Sequence, residues 1–415
     1  MAAAKHTQKS QDDWMALEWE ITHLFDGAPI DEEDLFAGRS TEVRRMLQAV
    51  LERSKNVILY GERGVGKTSL SNVFWKRFNK SIRSFVVARV QAGPHDNYSS
   101  LWIRALDELR SSAITSGKAD LVPINSDFTT LSPTDVRREL QKCSPNAIPI
   151  IIIDEYSEIA DSDCKTLTAS TIKELYDFSV STTTVLVGVA ENVSDLITDH
   201  QSLDRALVQI PLARMSHSEL REIIDKRTTR TSLTFSADAT WTVIILSRGL
   251  PYFTKTLAKY AALHAIRDKR IMVTNDDVEH SMASFIADTK ELFRSAYQGA
   301  TRSNQENFFA QSLLACALAN TDDEGFFSAN DVVEPYSAIM KGKKRIAHFE
   351  KHLRRFSSKD GGNILIKRGG ERQQRFRFAD PMMQPYVIIR GIESKMIDEE
   401  AKTILLQREQ GDLLL

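Results

Sequence analysis

Cysteine is scarce in this chain. Cys143, Cys164 and Cys316 are the only three in 415 residues, and they stand too far apart for a zinc site or a disulfide framework. Reduced thiols in a cytoplasmic protein are expected. Long apolar runs are also missing: no stretch approaches the ~20 residues of a membrane helix, and the first residues, Met1 to Lys9, lack the apolar centre of a secretion signal. A soluble protein without a membrane partner is therefore expected. Nor is there an excess of charge of one sign. The 54 Lys and Arg residues balance 56 Asp and Glu, so a surface for a polyanion must be local. The nine His residues include no His-x3-His pair backed by carboxylates, and neither G-x-S-x-G nor a Cys-His arrangement occurs, which excludes the commonest zinc-hydrolase and nucleophilic-triad chemistries.

What the chain does contain is Gly61-Glu62-Arg63-Gly64-Val65-Gly66-Lys67-Thr68, a full match to G-x-x-x-x-G-K-[ST]. Glycines at these places let successive backbone N–H groups turn inward onto a phosphate chain. Lys67 adds a point charge, Thr68 a hydroxyl for Mg2+, and Ser69 continues the loop into a helix. The apolar run Asn56 to Tyr60 reads as a buried parallel strand before the loop, and Thr68 to Trp75 has helical spacing after it. ATP and Mg2+ are the cofactors expected.

Ser84 to Val90 reads as a second strand and Tyr98 to Leu109 as an amphipathic helix. Residues 112 to 147 are polar and broken by prolines, with one short helix from Asp135 to Lys142. The β-branched run Ile148 to Ile153 reads as a central strand ending in Asp154-Glu155, Thr183 to Ala190 as another, and Val208 to Leu212 as a last short one. Alternating strands and helices predict an α/β parallel sheet with helices on both faces. Ligands gather beyond the carboxyl ends of such strands. Asp154 is placed there to hold Mg2+ and Glu155 to polarise the water that attacks the γ-phosphate. At the next strand end, Glu191 or Asn192 is the candidate to contact that water or the phosphate. Arg205 is either an arginine finger, supplied to a neighbouring subunit in a homo-oligomer, or a surface residue paired with Asp204.

After Ser216 the texture changes to amphipathic helices, Glu219 to Arg230, Ala237 to Ser247, Tyr252 to Asp268 and Asp276 to Asp288, which read as a helical lid. Beyond a polar stretch, helices from Asn307 to Ala319, Ser328 to Met340 and Arg345 to Phe356 precede short strands at Asn363 to Lys367 and Gln374 to Phe378. Three helices and a hairpin predict a winged helix. Between 341 and 377 there are thirteen Lys and Arg against Glu350, Asp360 and Glu371. Lys343, Lys344, Arg345, Lys351, Arg354 and Arg355 on the helix side, with Arg368, Arg372 and Arg375 on the wing, are the candidates for DNA contact. The same face could meet an acidic protein partner. The expected divisions are an N-terminal extension (1–29), P-loop core (30–212), lid (213–290), linker (291–306), winged helix (307–392) and tail (393–415).

With these residues in place, the chain resembles an AAA+ ATPase of the initiator type, related to origin-recognition ATPases and to the signalling ATPases called STAND, over about residues 30 to 390. Phe36-Ala37-Gly38-Arg39 is similar to the F-x-G-R segment that lies by the adenine in such proteins. Gly61 to Thr68 matches Walker A, Ile150 to Glu155 Walker B, Glu191/Asn192 the sensor 1 place and Arg205 the finger place. Phe378-Ala379-Asp380-Pro381 resembles the end of the winged helix in prokaryotic relatives. The lid departs from initiators. Where they carry a sensor 2 Arg, this chain reads Ser247-Arg248-Gly249-Leu250-Pro251-Tyr252, closer to the Gly-x-Pro element of STAND proteins, in which Pro251 would pack on the base. The resemblance implies a slow, nucleotide-gated switch coupling ATP to DNA binding or assembly, or alternatively a signalling or scaffold ATPase with a protein effector in a defence or mobile-element system.

Overall fold

The computed structural model describes residues 10–52, 54–77, 84–125, 127–190, 203–288, 291–302, 307–322, 324–370 and 373–397. Two compact units divide the chain: Pro29–Ala213, and Met1–Ala28 together with Arg214–Leu415.

In the first unit, β1 (Asn56–Gly61), β2 (Ser84–Gln91), β3 (Ala147–Asp154), β4 (Thr183–Val189) and β5 (Leu207–Pro211) form a parallel sheet in the order β2-β3-β4-β1-β5. Register explains why these runs are so apolar. Ile58, Leu186, Ile153 and Val90 lie side by side across four strands and belong to one buried cluster with Trp102, Leu106 and Ile172 from helices Tyr98–Thr115 and Ser162–Asp177. The alternate residues Val57, Leu59, Val185 and Val187 are equally buried. They face the opposite way, and helices Ser40–Leu51 and Lys67–Val73 pack against these strands. Burial on both faces leaves no polar side to the central strands, hence the isoleucine run of β3.

In the second unit, helices His217–Thr228, Ala237–Ser247, Pro251–Arg267 and Asn275–Asp288 pack with a two-stranded parallel pair, β6 (Thr234–Phe235) and β7 (Met272–Val273). Ser216 caps the first of these helices in a reciprocal box with Glu219, so it begins earlier than its apolar spacing suggests. The N-terminal extension contributes a helix to this unit. Its helix Gln11–Leu24 packs on Pro251–Arg267, the buried Arg227 donates Nε to the Leu24 carbonyl at 2.8 Å, and Lys255 donates to that of Ala28 at 2.8 Å. Within the stretch expected as a linker, residues Glu291–Thr301 form a helix.

Helices Phe309–Leu318, Ala329–Ile339 and Glu350–Phe356 follow. With them comes a three-stranded antiparallel sheet, β8-β10-β9, made of Phe327–Ser328, Arg375–Phe378 and Leu365–Arg368. Strand β8 was not foreseen, because two residues carry no periodicity. Expected as one helix from Arg345, the third segment is split into a short turn at Ile346–His348 and the seven-residue helix. A closing helix, Met383–Glu393, buries Tyr386, Val387 and Ile389. Most of the expected tail, 398–415, lies outside the described residues. Among the described residues no helix is long and apolar enough to cross a membrane.

Candidate functional site

At the end of β1 the backbone meets an obstacle that only glycine passes. A Cβ on Gly61, at φ 151°, would stand 2.3 Å from the Leu212 carbonyl oxygen. Gly64 and Gly66 follow with φ of 86° and 98°, the left-handed region that glycine enters without strain. Lys67 then opens its helix with its side chain only 8% exposed. Its ammonium donates to the carbonyls of Gly61 at 3.0 Å and Glu62 at 2.6 Å. Burial lowers the Lys67 pKa to about 8, against the upward pull of Asp154, Glu62 and Glu155. A cation held this dry is stabilised by any anion that reaches it.

Asp154, 5% exposed, closes β3, and β4 lies between β1 and β3. The end of β4 therefore falls between the glycine loop and the acidic pair. Glu191 and Asn192 themselves lie outside the described residues. Asp154 Oδ1 accepts the Glu155 N–H at 2.9 Å, and Oδ2 accepts from the Arg89 guanidinium at 3.1 Å. Glu155 is exposed at φ 53°, with Oε2 accepting from Gln91 Nε2 at 2.8 Å. Sequence reasoning missed Arg89 and Gln91. Only strand pairing reveals them: Gln91 lies opposite Asp154 and Arg89 opposite Ile152, so all three side chains leave one face of the sheet.

Arg39 is also buried, at 5% exposure and φ 58°. Its guanidinium donates to Val65 O in the glycine loop at 3.2 Å and to Ala213 O at 2.5 Å. Phe36 is in the core at 4% exposure. Ser69 accepts the Ile30 N–H on Oγ at 3.0 Å, fastening the segment before Phe36 to the loop helix. Glu62 and Val65 are buried, Arg63 is exposed, and Thr68 is half-buried.

Arg205 is not brought to this site. It precedes β5, level with the start of β1, where Lys55 donates to its carbonyl at 2.7 Å. The glycine loop follows the far end of β1, ~20 Å along a six-residue strand, which excludes action on the chain's own site. In the second unit, Pro251 is the first residue of helix Pro251–Arg267. Arg248 donates to Ala319 O at 3.2 Å.

The basic face is less free than its composition suggests. Arg354 pairs with Glu350 at 2.6 Å. Arg355 lies over the Phe309 ring at 4.8 Å and donates to Arg302 O at 3.4 Å. Arg368 pairs with Glu324 at 3.4 Å and Arg375 pairs with Asp322, both beside Phe326. Lys343, Arg345 and Lys351 are exposed and Lys344 half-buried; Arg372 lies outside the described residues. A cleft of about 890 Å³ separates the helix from the hairpin, lined by Asn330, Glu350, Arg354, Lys367, Gln374 and Arg375 among others. Sequence reasoning also missed a group formed by His264, Asp268 and Asp277. The Arg270 guanidinium pairs with both aspartates, making it an ion-pair network.

A parallel sheet in this order, with the glycine loop after β1 and the carboxylate pair after β3, defines a P-loop NTPase. The chain belongs to the Novel STAND NTPase 1 family, whose model matches residues 29–277. Among solved structures, the Walker-type ATPase PABY2304 of Pyrococcus abyssi matches at 17% identity and TM-score 0.51, over 88% of this chain and 99% of that one. The ORC2 protein of Aeropyrum pernix, solved as ADPNP-ADP complexes, matches at 16% identity and TM-score 0.49, over 90% and 98%. The ORC1 protein of the same organism, solved with DNA, matches at 15% and 0.49, over 90% and 95%. No curated protein matches the chain.

Proposed function

We propose that this NTPase binds ATP with Mg2+ at the glycine loop, hydrolyses it slowly, and uses nucleotide state to control DNA engagement or assembly. The observation that supports it best is the dehydrated Lys67 ammonium bonded to the loop's own carbonyls. A β,γ-phosphate would replace those neutral acceptors with charged ones. Loop amides from Gly64 to Thr68 would bind the phosphate chain. Thr68 Oγ1 and the Asp154 carboxylate are hard oxygen donors of the kind Mg2+ takes, and the ion would neutralise charge on the phosphates. Glu155 would orient the attacking water and take its proton, with Glu191 or Asn192 contacting the water or γ-phosphate. Arg205 would act only on a neighbouring copy. Calorimetry tests this: Mg-ATP binds the wild-type chain and fails to bind Lys67→Ala.

The segment from 307 to 392 we read as a winged helix, with DNA as its partner through Lys343, Lys344, Arg345 and Lys351. A nucleotide-dependent, salt-sensitive affinity for duplex DNA is expected, and a flat salt response would remove this part. One observation favours a second reading, a signalling ATPase whose winged helix docks a protein: wing arginines Arg368 and Arg375 already have acidic partners. Co-purification of a protein partner without DNA retention would support it.

A further inference from the structure

Each oxygen of the carboxylate assigned to the metal already accepts one hydrogen bond in this structure. Asp154 Oδ1 is held by the Glu155 amide at 2.9 Å and Oδ2 by Arg89 at 3.1 Å. Each oxygen keeps a second lone pair, but a metal cation on Oδ2 would meet the guanidinium's like charge at close range. The two donors differ in how readily they leave. Glu155 N–H belongs to the backbone next to Asp154 and moves only with it. Arg89 is on β2, an edge strand of the sheet, and its side chain is 44% exposed against 7% for Asp154. The guanidinium can therefore turn into water without loss of its hydration, whereas the carboxylate stays in place. Nor is the contact a chance of surface packing. Arg89 and Gln91 leave the same face of β2, and each takes one member of the acidic pair.

We propose that Arg89 gates the metal at Asp154: its guanidinium holds Oδ2, and a divalent cation enters by displacing it. This rests on the Mg-ATP reading of the site. Arg89 is then a positioning residue that raises the metal concentration at which the site fills.

The test is the affinity of the full chain for Mn2+ in the presence of one equivalent of ADP, read from the free-ion electron paramagnetic resonance signal. Arg89→Met keeps most of the packed stem and removes the charge; Arg89→Lys keeps the charge. The methionine variant is expected to fill at about three- to tenfold lower Mn2+ than wild type, the range for losing a half-exposed charged hydrogen bond, with the lysine variant close to wild type. Unchanged or weaker Mn2+ binding by Arg89→Met, in a protein with wild-type thermal unfolding, overturns the gate. An Asp154→Asn protein with wild-type Mn2+ affinity would instead remove the assignment of Asp154 as a metal ligand, and the gate with it.

Discussion

The buried guanidinium of Arg39 donates to the carbonyl oxygen of Val65, the central residue of the glycine loop, at 3.2 Å. The same group reaches Ala213 O at 2.5 Å and Glu42 at 3.4 Å. One side chain thus ties the loop to the chain beyond β5 and to helix Ser40–Leu51. In this structure the arginine fastens the glycine loop.

Replacing Arg39 by Ala leaves buried carbonyls without their charged donor. A loss of about 2–4 kcal/mol in stability is expected, read as a lower urea midpoint, together with weaker nucleotide binding because the loop is no longer fixed. Arg39→Lys should recover only part of either, since an ammonium cannot span the same acceptors.

Gly61→Ala should be as damaging through the backbone. The added methyl would meet Leu212 O at 2.3 Å, so the loop and the end of β5 must separate. Thermal unfolding should shift down, and Mg-ATP binding should fall by at least tenfold, an order-of-magnitude expectation from displacing a phosphate-binding backbone. Wild-type binding by this variant would refute the close approach.

Nucleotide binding should take up a proton in mildly alkaline solution. In the free protein Lys67 has a pKa of about 8, so at pH 9 it is mostly neutral. A triphosphate favours the charged form and raises that value. Calorimetry at pH 9 in buffers of different ionisation enthalpy should report an uptake approaching ~1 proton, falling toward zero at pH 7, where the ammonium is already formed. Zero uptake at both values would contradict a dry lysine.

Glu155→Gln should keep Mg-ATP binding within about threefold while phosphate release falls by 10²-fold or more, the usual order for losing a group that acts on the attacking water. The amide can still accept from Gln91, so folding should be unaffected. Normal turnover would reassign the base.

Acid should act through Asp277. This carboxylate, fully buried, accepts from Arg270, from the Thr274 N–H at 2.8 Å and hydroxyl at 2.9 Å, and lies 2.7 Å from His264 Nδ1. Burial alone would raise its pKa; the bonds outweigh that and hold it well below the usual carboxylate range. A depressed folded pKa stabilises the protein above the unfolded value near ~3.9 and is lost as pH falls below it. Asp277→Asn should cost about 1–3 kcal/mol at pH 7, the range for a charged hydrogen bond whose arginine partner remains partly in water, and flatten the acid limb of the unfolding curve.

The glycine loop and its two flanking elements were legible in the sequence because their chemistry is local: eight consecutive residues set the turn. The isoleucine strand was legible because burial on two faces leaves no other composition. Tertiary structure alone supplied Arg89 for Asp154, Asp322 for Arg375 and Ala213 for Arg39, pairs 65, 53 and 174 positions apart. Strand register and side-chain alternation decide which residues meet at such distances, and neither can be read from one strand by itself. The count of thirteen cations likewise fixed the charge of the third region. Which of those cations remain free for a partner was decided by the acids that folding brings against them.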